Sequence, residues 1–185
     1  MGYTGINLEK VKMSNRSAIL KLLNDCGAMS RKDIAIKLGL TPATVTLICT
    51  DLLASGILCE KGEMEEAKRA GRRKVLIDIN HQYRYVMTVS IEAEDTSVAI
   101  CDLKAHCLGM RSLKTDGTLD PERFLKKIAN ESKDLMWEQE ISRDRVLGIG
   151  VSVPGPVNRR DGLSQHAYRI WSDGVPVGEL LQKYM

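Results

Sequence analysis

The sequence predicts a mixed α/β chain of two domains, a small helical unit with a β-hairpin over residues 1–80 and an α/β lobe over residues 81–185. Two observations predict it. Apolar residues recur at helical spacing in three segments before residue 56, and strand-like alternation takes over beyond it. After residue 85, three strand-like runs precede one long amphipathic segment and a further apolar run, the β-β-β-α-β order of a sheet with one crossover helix. With 185 residues, 43% of them hydrophobic, the chain has material for a core in each domain.

Ala18, Ile19, Leu22, Leu23 and Cys26 share one face of a first helix that Gly27 closes. Ser30 followed by Asp33 resembles a capping box with Asp in place of the usual Glu or Gln. Ile34, Ala35 and Leu38 line the short helix that follows, and Gly39 suits the left-handed residue that ends it. Thr41 is placed to cap a third helix with Pro42 in its first turn. Val45, Ile48, Cys49, Leu52 and Leu53 form that helix's buried stripe, leaving Thr44, Thr46, Leu47 and Thr50 outside. Residues 57–60 and 75–79 read as two strands of a hairpin whose polar tip spans 62–70, with the basic run KRAGRRK at 68–74.

A helix pair with a glycine turn is often only a packing unit. The hairpin behind it makes a winged helix-turn-helix, which sets one helix in the DNA major groove and its wing on phosphates or in the minor groove. The expected DNA-binding residues are Arg31, Lys32, Thr41, Thr44, Thr46, Leu47 and Thr50, with Arg72, Arg73 and Lys74 on the wing. Threonine methyls and Leu47 suit contact with thymine methyl groups. Charge agrees: residues 1–80 hold 13 basic and 9 acidic side chains, residues 81–185 hold 14 and 15.

Residues 80–83 mark the domain boundary. Strands are predicted over 85–91, 97–103 and 107–113. Asp120-Pro121-Glu122 starts a helix that runs to about residue 140, with Phe124, Leu125, Ile128, Leu135 and Met136 inward. The run at 146–153 predicts a strand buried on both faces, its two glycines letting another backbone come close. Pro154-Gly155-Pro156 makes a rigid turn, and 177–184 starts a last helix. The element order suggests part of a ribonuclease-H-like, actin-like lobe.

No apolar run is long enough for a membrane helix, and the first residues lack a signal-peptide pattern. The five cysteines, odd in number and scattered through apolar runs, are expected to be free buried thiols of a cytoplasmic protein. His81, His106 and His166 are isolated and no CxxC pair occurs, so no metal site is expected.

The segment GIGVSVPGPVNRRDG, followed by Trp171, Val175-Pro176 and Leu180-Leu181, resembles the ROK family of sugar-responsive repressors and sugar kinases. A winged helix leading through Gly71-Arg72-Arg73 into such a lobe resembles the repressor branch, exemplified by xylose and N-acetylglucosamine repressors. The resemblance covers nearly the whole chain. It implies a transcriptional regulator of carbohydrate genes, double-stranded operator DNA as partner and a sugar effector. A homodimer or higher oligomer is expected because helix-turn-helix repressors read paired half-sites, and neither cofactor nor enzymatic activity is expected. Leu47 departs from the polar or basic residue frequent there in the family.

The alternatives are a sugar kinase or its remnant, and a DNA-binding protein that senses no sugar. In ROK kinases the first strand turn carries an acidic residue, a Gly-Gly pair and a Thr; Glu92, Glu94, Asp95 and Thr96 stand here. Each carboxylate at a glycine position would repel a phosphate charge by ~1 kcal/mol at 4 Å even at bulk-water dielectric. A solvated hairpin turn is therefore expected at Glu94-Asp95. The family's sugar-holding Asn-Asp pair, its later Glu and His contacts and its Cys/His zinc motif all follow the region matching 177–184. The chain is thus expected to be truncated within the ROK domain, as a fragment or a shortened gene product. Pro154 and Gly155 are left as one wall of a ligand pocket, and Asp161, Gln165 and His166 as loop residues.

Overall fold

Nineteen residues of regular helix, α1 (Leu8–Cys26), bring Ile19 and Leu23 into the first core; Gly27, at φ 76°, turns the chain out of it. The computed structural model describes residues 8–63 and 75–185, which divide into units at Asn80/His81. In the first unit α1 is followed by β1 (Met29–Ser30), α2 (Arg31–Leu38), α3 (Pro42–Ala54), β2 (Leu58–Glu63) and β3 (Val75–Ile79). The strands form an antiparallel sheet in the order β1-β3-β2, with Met29 opposite Ile77 and Leu58 opposite Ile79.

The inner face of this sheet closes on Ile19, Leu23, Ile34, Val45, Ile48, Cys49 and Leu52, with Leu58 and Ile77 from the strands. Each such burial is worth about 1.5–3 kcal/mol. Burial also pushes the Cys49 thiol up, and the Arg31 guanidinium offsets this only in part.

The second unit holds β4 (Tyr85–Ile91), β5 (Asp95–Asp102), β6 (Cys107–Lys114), α4 (Pro121–Glu138), a 3-10 turn (Arg143–Arg145), β7 (Val146–Ser152), β8 (Val157–Asn158), β9 (Leu163–Ser164) and α5 (Val177–Tyr184). Its main sheet runs β6-β5-β4-β7, with β7 parallel to β4 and the other pairs antiparallel. Asp120 caps α4 as expected, its carboxylate accepting the Arg123 N–H at 3.2 Å. Phe124, Leu125, Ile128, Ala129, Leu135 and Met136 then pack with Met87, Val89, Ile91, Val98 and Ile100 of the sheet. Buried Ser132 donates to the Ile128 carbonyl one turn back, so its hydroxyl is satisfied. Trp171 donates through Nε1 to the buried Ser164 hydroxyl at 3.0 Å. Helix α5 returns to the first turn of α4, where Lys183 and the Tyr184 hydroxyl both bond the Glu122 carboxylate.

Three expectations are corrected. Strand β7 is not buried on both faces: among the described residues it pairs only with β4, Leu147 is 63% exposed, and no atom of a residue beyond the chain neighbours comes within 4 Å of a Cβ built on Gly148 or Gly150. An apolar run states what a strand would bury, whereas its neighbours decide whether it is covered. The cysteines are all free, but only Cys49 is buried; Cys59 and Cys101 are half-buried and Cys26 and Cys107 exposed. Cys107 opens β6, an edge strand among the described residues, with a strand neighbour on one side. His106 is not isolated either, since it stands against Asp102.

Asp102 is buried at the β5–β6 turn. Its carboxylate accepts the Lys104 and His106 N–H groups at 2.8 and 3.0 Å and lies 3.2 Å from His106 Nδ1. Burial pushes this carboxyl up, but the His106 and Lys104 hydrogen bonds outweigh it and hold it below its ordinary value. A depressed native pKa gives stability that is full above the unfolded value, about 4, and lost as pH falls through the native one. Asp102→Asn should therefore cost about 1–3 kcal/mol at neutral pH and flatten the acid loss of stability below about pH 4. Urea unfolding at pH 7 and pH 3 measures both.

Candidate nucleic-acid interface

The helix pair is fixed by local chemistry at three places. Ser30 caps α2, its Oγ accepting the Asp33 N–H at 3.2 Å and donating to the Asp33 carboxylate at 2.6 Å. Asp33 thus serves the capping residue despite being shorter than Glu. Gly39 adopts φ 63°, ψ 27°, and the Leu40 N–H reaches back to the Ala35 carbonyl at 3.0 Å. This left-handed link turns the chain sharply from α2 into α3. Thr41 then caps α3, its Oγ1 accepting the Thr44 N–H at 3.2 Å, with the two hydroxyls 2.8 Å apart. Such a cap is worth about 1 kcal/mol.

The expected DNA-facing residues separate into groups. Thr46, Leu47 and Thr50 are exposed on the outer face of α3, Leu47 at 60%. Thr44 is half-buried and shares its hydroxyl with Thr41, so both belong first to the cap. Lys32 is exposed. Arg31 is half-buried, its guanidinium 3.8 Å from Glu60 on β2 and its Nε buried without a partner among the described residues. Arg31 thus spans from α2 to the wing strand. Arg72, Arg73 and Lys74, with the rest of the basic run, lie outside the described residues.

Three further residues bear on this face. Pro42 and Ala43 are exposed at the start of α3, beside the predicted face. Lys12 of α1 reaches Asp51 at 3.0 Å, neutralising the one acidic side chain of α3. The signal for Lys12 was a helical register upstream of Ala18, masked because Leu8, Val11 and Met13 of that turn are exposed.

Pro154 and Gly155 fall in the second unit. Gly155 lines a cleft of about 620 Å³ together with Ser152, Asn158, Arg159 and Gly162; Pro154 is not on its wall. The turn is held by backbone bonds, Tyr168 N–H to the Pro154 carbonyl at 2.8 Å and Gln165 N–H to the Pro156 carbonyl at 3.0 Å. A Cβ on Gly155 would stand 2.2 Å from the His166 carbonyl oxygen. Glycine is required there by the close approach of a second backbone. Asn158 and Asp161 bond one another within their own loop. Glu92 and Glu94 are exposed in the β4–β5 turn, Asp95 pairs with Lys114 at 2.8 Å, and Thr96 is buried against Thr115. Among the described residues no group of three or more His, Cys, Asp or Glu side chains is placed to hold a metal ion, and no helix is long and apolar enough to cross a membrane.

Residues 14–58 match a family described as winged helix-turn-helix DNA-binding. The chain is similar to the DNA-binding transcriptional repressor Mlc of Escherichia coli (strain K12), 22% identical over 180 residues that cover 96% of this chain and 44% of that protein. It is similar to the DNA-binding transcriptional dual regulator NagC of the same organism, 29% identical over 181 residues, 96% of this chain and 43% of that one. The xylose repressor of Caldicellulosiruptor bescii is 22% identical over 173 residues, 94% of this chain and 43% of its own length. The solved structure of a ROK family transcriptional regulator, a homologue of Mlc, shares the fold with a TM-score of 0.68 at 21% identity, covering 95% of this chain and 44% of that one. The chain thus spans less than half the length of these relatives.

Gly155→Ala should lower the unfolding temperature of the second unit by several degrees while leaving the first unit's transition in place. Calorimetric unfolding of the two transitions checks it.

Proposed function

We propose that this relative of the ROK family transcriptional regulators binds double-stranded operator DNA through its winged helix and regulates carbohydrate genes, most simply by repression. The observation that carries the proposal is the outer face of α3. Ala43, Thr46, Leu47 and Thr50 stand exposed on a helix whose entry is locked by Gly39 and Thr41, and Lys12 neutralises the adjacent Asp51. This face is rich in methyl groups and carries no long amide or basic side chain. It suits thymine methyls in the major groove, with affinity drawn from phosphate contacts. Lys32 and the wing residues Arg72, Arg73 and Lys74 would supply those contacts. Arg31 would reach a phosphate by loosening its long-range pairing with Glu60.

Selection of bound duplexes from a random pool, followed by fluorescence-anisotropy titration across salt, tests the proposal. A T-rich half-site should emerge. Leu47→Ala should weaken that site more than random DNA while changing stability by less than about 0.5 kcal/mol. Replacing Arg72 and Arg73 with Ala should weaken all DNA and reduce the salt slope by about 0.9 for each phosphate no longer neutralised. Enrichment of no sequence would defeat the proposal.

A sugar effector and a dimer or higher oligomer are proposed with it. The support is the names of the relatives for the first and the pairing of half-sites by helix-turn-helix proteins for the second. The same reading makes the chain a regulator and not a kinase, because Glu94 and Asp95 stand exposed at the turn positions where the resemblance puts a kinase's Gly-Gly pair. Calorimetric titration with a panel of hexoses, xylose and N-acetylglucosamine should give saturable heat for one of them, and addition of ATP with that sugar should give no ADP in a coupled assay. Saturable binding separates a sensing chain from one that only binds DNA.

A further inference from the structure

Cys101 and Cys107 are opposite one another across the β5–β6 ladder. Directly opposed antiparallel residues have Cα atoms about 4.5–5.5 Å apart, inside the range of about 4.4–6.8 Å that a disulfide spans. A bulge between Ile100 and Cys101 sets this register, and the Asp102 carboxylate clamps the turn that joins the strands. The two thiols interact: burial, and then the Cys107 thiol hydrogen-bonded beside it, push the Cys101 thiol up. Cys107 is exposed and also donates to the Gly109 carbonyl at 3.4 Å. Neither Cys26, Cys49 nor Cys59 has a cysteine opposite it in a described ladder.

We propose that Cys101 and Cys107 are a peroxide-reactive dithiol that closes to an intramolecular disulfide across the hairpin. Cys107, the more accessible, attacks hydrogen peroxide; an S–O bond forms, the O–O bond breaks, and the leaving hydroxide takes a proton to become water. Cys101 then attacks the sulfenic sulfur of Cys107. The S–S bond forms, the S–O bond breaks, and a second water leaves with the other thiol proton. Two thiols lose two electrons and one peroxide becomes two waters. The strands are already in register, so the closure asks only for side-chain rotation. Regulation of DNA binding is not required for it.

The sequence offers a direct readout, because Lys104 lies between the two cysteines and trypsin separates them into peptides 85–104 and 105–111. The full chain is treated with a small excess of hydrogen peroxide, its remaining thiols are blocked with N-ethylmaleimide, and it is digested without reductant. The expected product is the two peptides joined, two hydrogens lighter than their sum, as the major oxidised species and split by dithiothreitol. In Cys101→Ser the sulfenic acid of Cys107 should persist and take up dimedone. The proposal fails if 85–104 and 105–111 are recovered singly, whether blocked or as sulfinic and sulfonic acids, or if Cys26 and Cys59 oxidise at an equal rate. Disulfides joining two copies of the chain in place of the internal link would overturn it equally.

Discussion

Each unit rests on a sheet with one closed face. In the first, Ile77 on the central strand β3 is fully buried, and around it the three helices and the flanking strands find a common interior. Remove that anchor and the central strand loses its fully buried apolar side chain in the core it shares with α2 and α3. In the second, Met87, Val89, Ile91, Val98 and Ile100 turn the same way beneath α4. Short side chains such as Thr88, Ser97 and Ala99 occupy the alternate positions, which an antiparallel sheet tolerates beside water. Burial on one side thus fixes register in both units, since a slip of one residue would turn the apolar set outward.

That register explains how the proposed DNA face is presented. The side chains of α3 that do not enter the core face outward, so the proposed recognition surface is the complement of Val45, Ile48, Cys49 and Leu52. The turn at Gly39 and the cap at Thr41 orient that surface, and ion pairs adjust it. Arg31 with Glu60 ties the base of the wing to α2, and Lys12 with Asp51 removes a carboxylate that phosphates would avoid. Exposed pairs of this sort add little stability, about 0–1 kcal/mol. Their effect here is on the sign of charge along the helix.

Local signals were legible wherever chemistry and conformation coincide. Ser30, Gly39, Thr41 and Asp120 each do in the structure what their types and spacing predict, and strands 75–79 and 85–91 fall on the predicted residues. What stayed hidden depends on neighbours distant in sequence. Nothing in the run at 146–153 states that it would have one partner strand and an open outer edge. The exposure of Cys107 follows from its edge position and a bulge in the ladder, which periodicity does not encode. The angle of Thr44 on the helix points it outward, but the nearby Thr41 hydroxyl claims it. Gly155 does line a cleft, but the tighter constraint on it is the His166 carbonyl eleven residues on, an approach visible only once the loop is folded.

The parallel pairing of β4 with β7 joins residues about sixty apart, Tyr85 with Val146 and Met87 with Ile149. Loop-closure entropy makes such pairings late and slow relative to helical ones. A chain emerging from the ribosome therefore completes its first unit, whose helices and hairpin close over shorter spans, well before β7 is available to the lobe. Meanwhile β4 exposes an unpaired edge rich in valine, isoleucine and methionine. The interval between synthesis of β4 and arrival of β7 is when the nascent protein is most open to wrong strand partners, and the hairpin partner β5 is what protects one side of it.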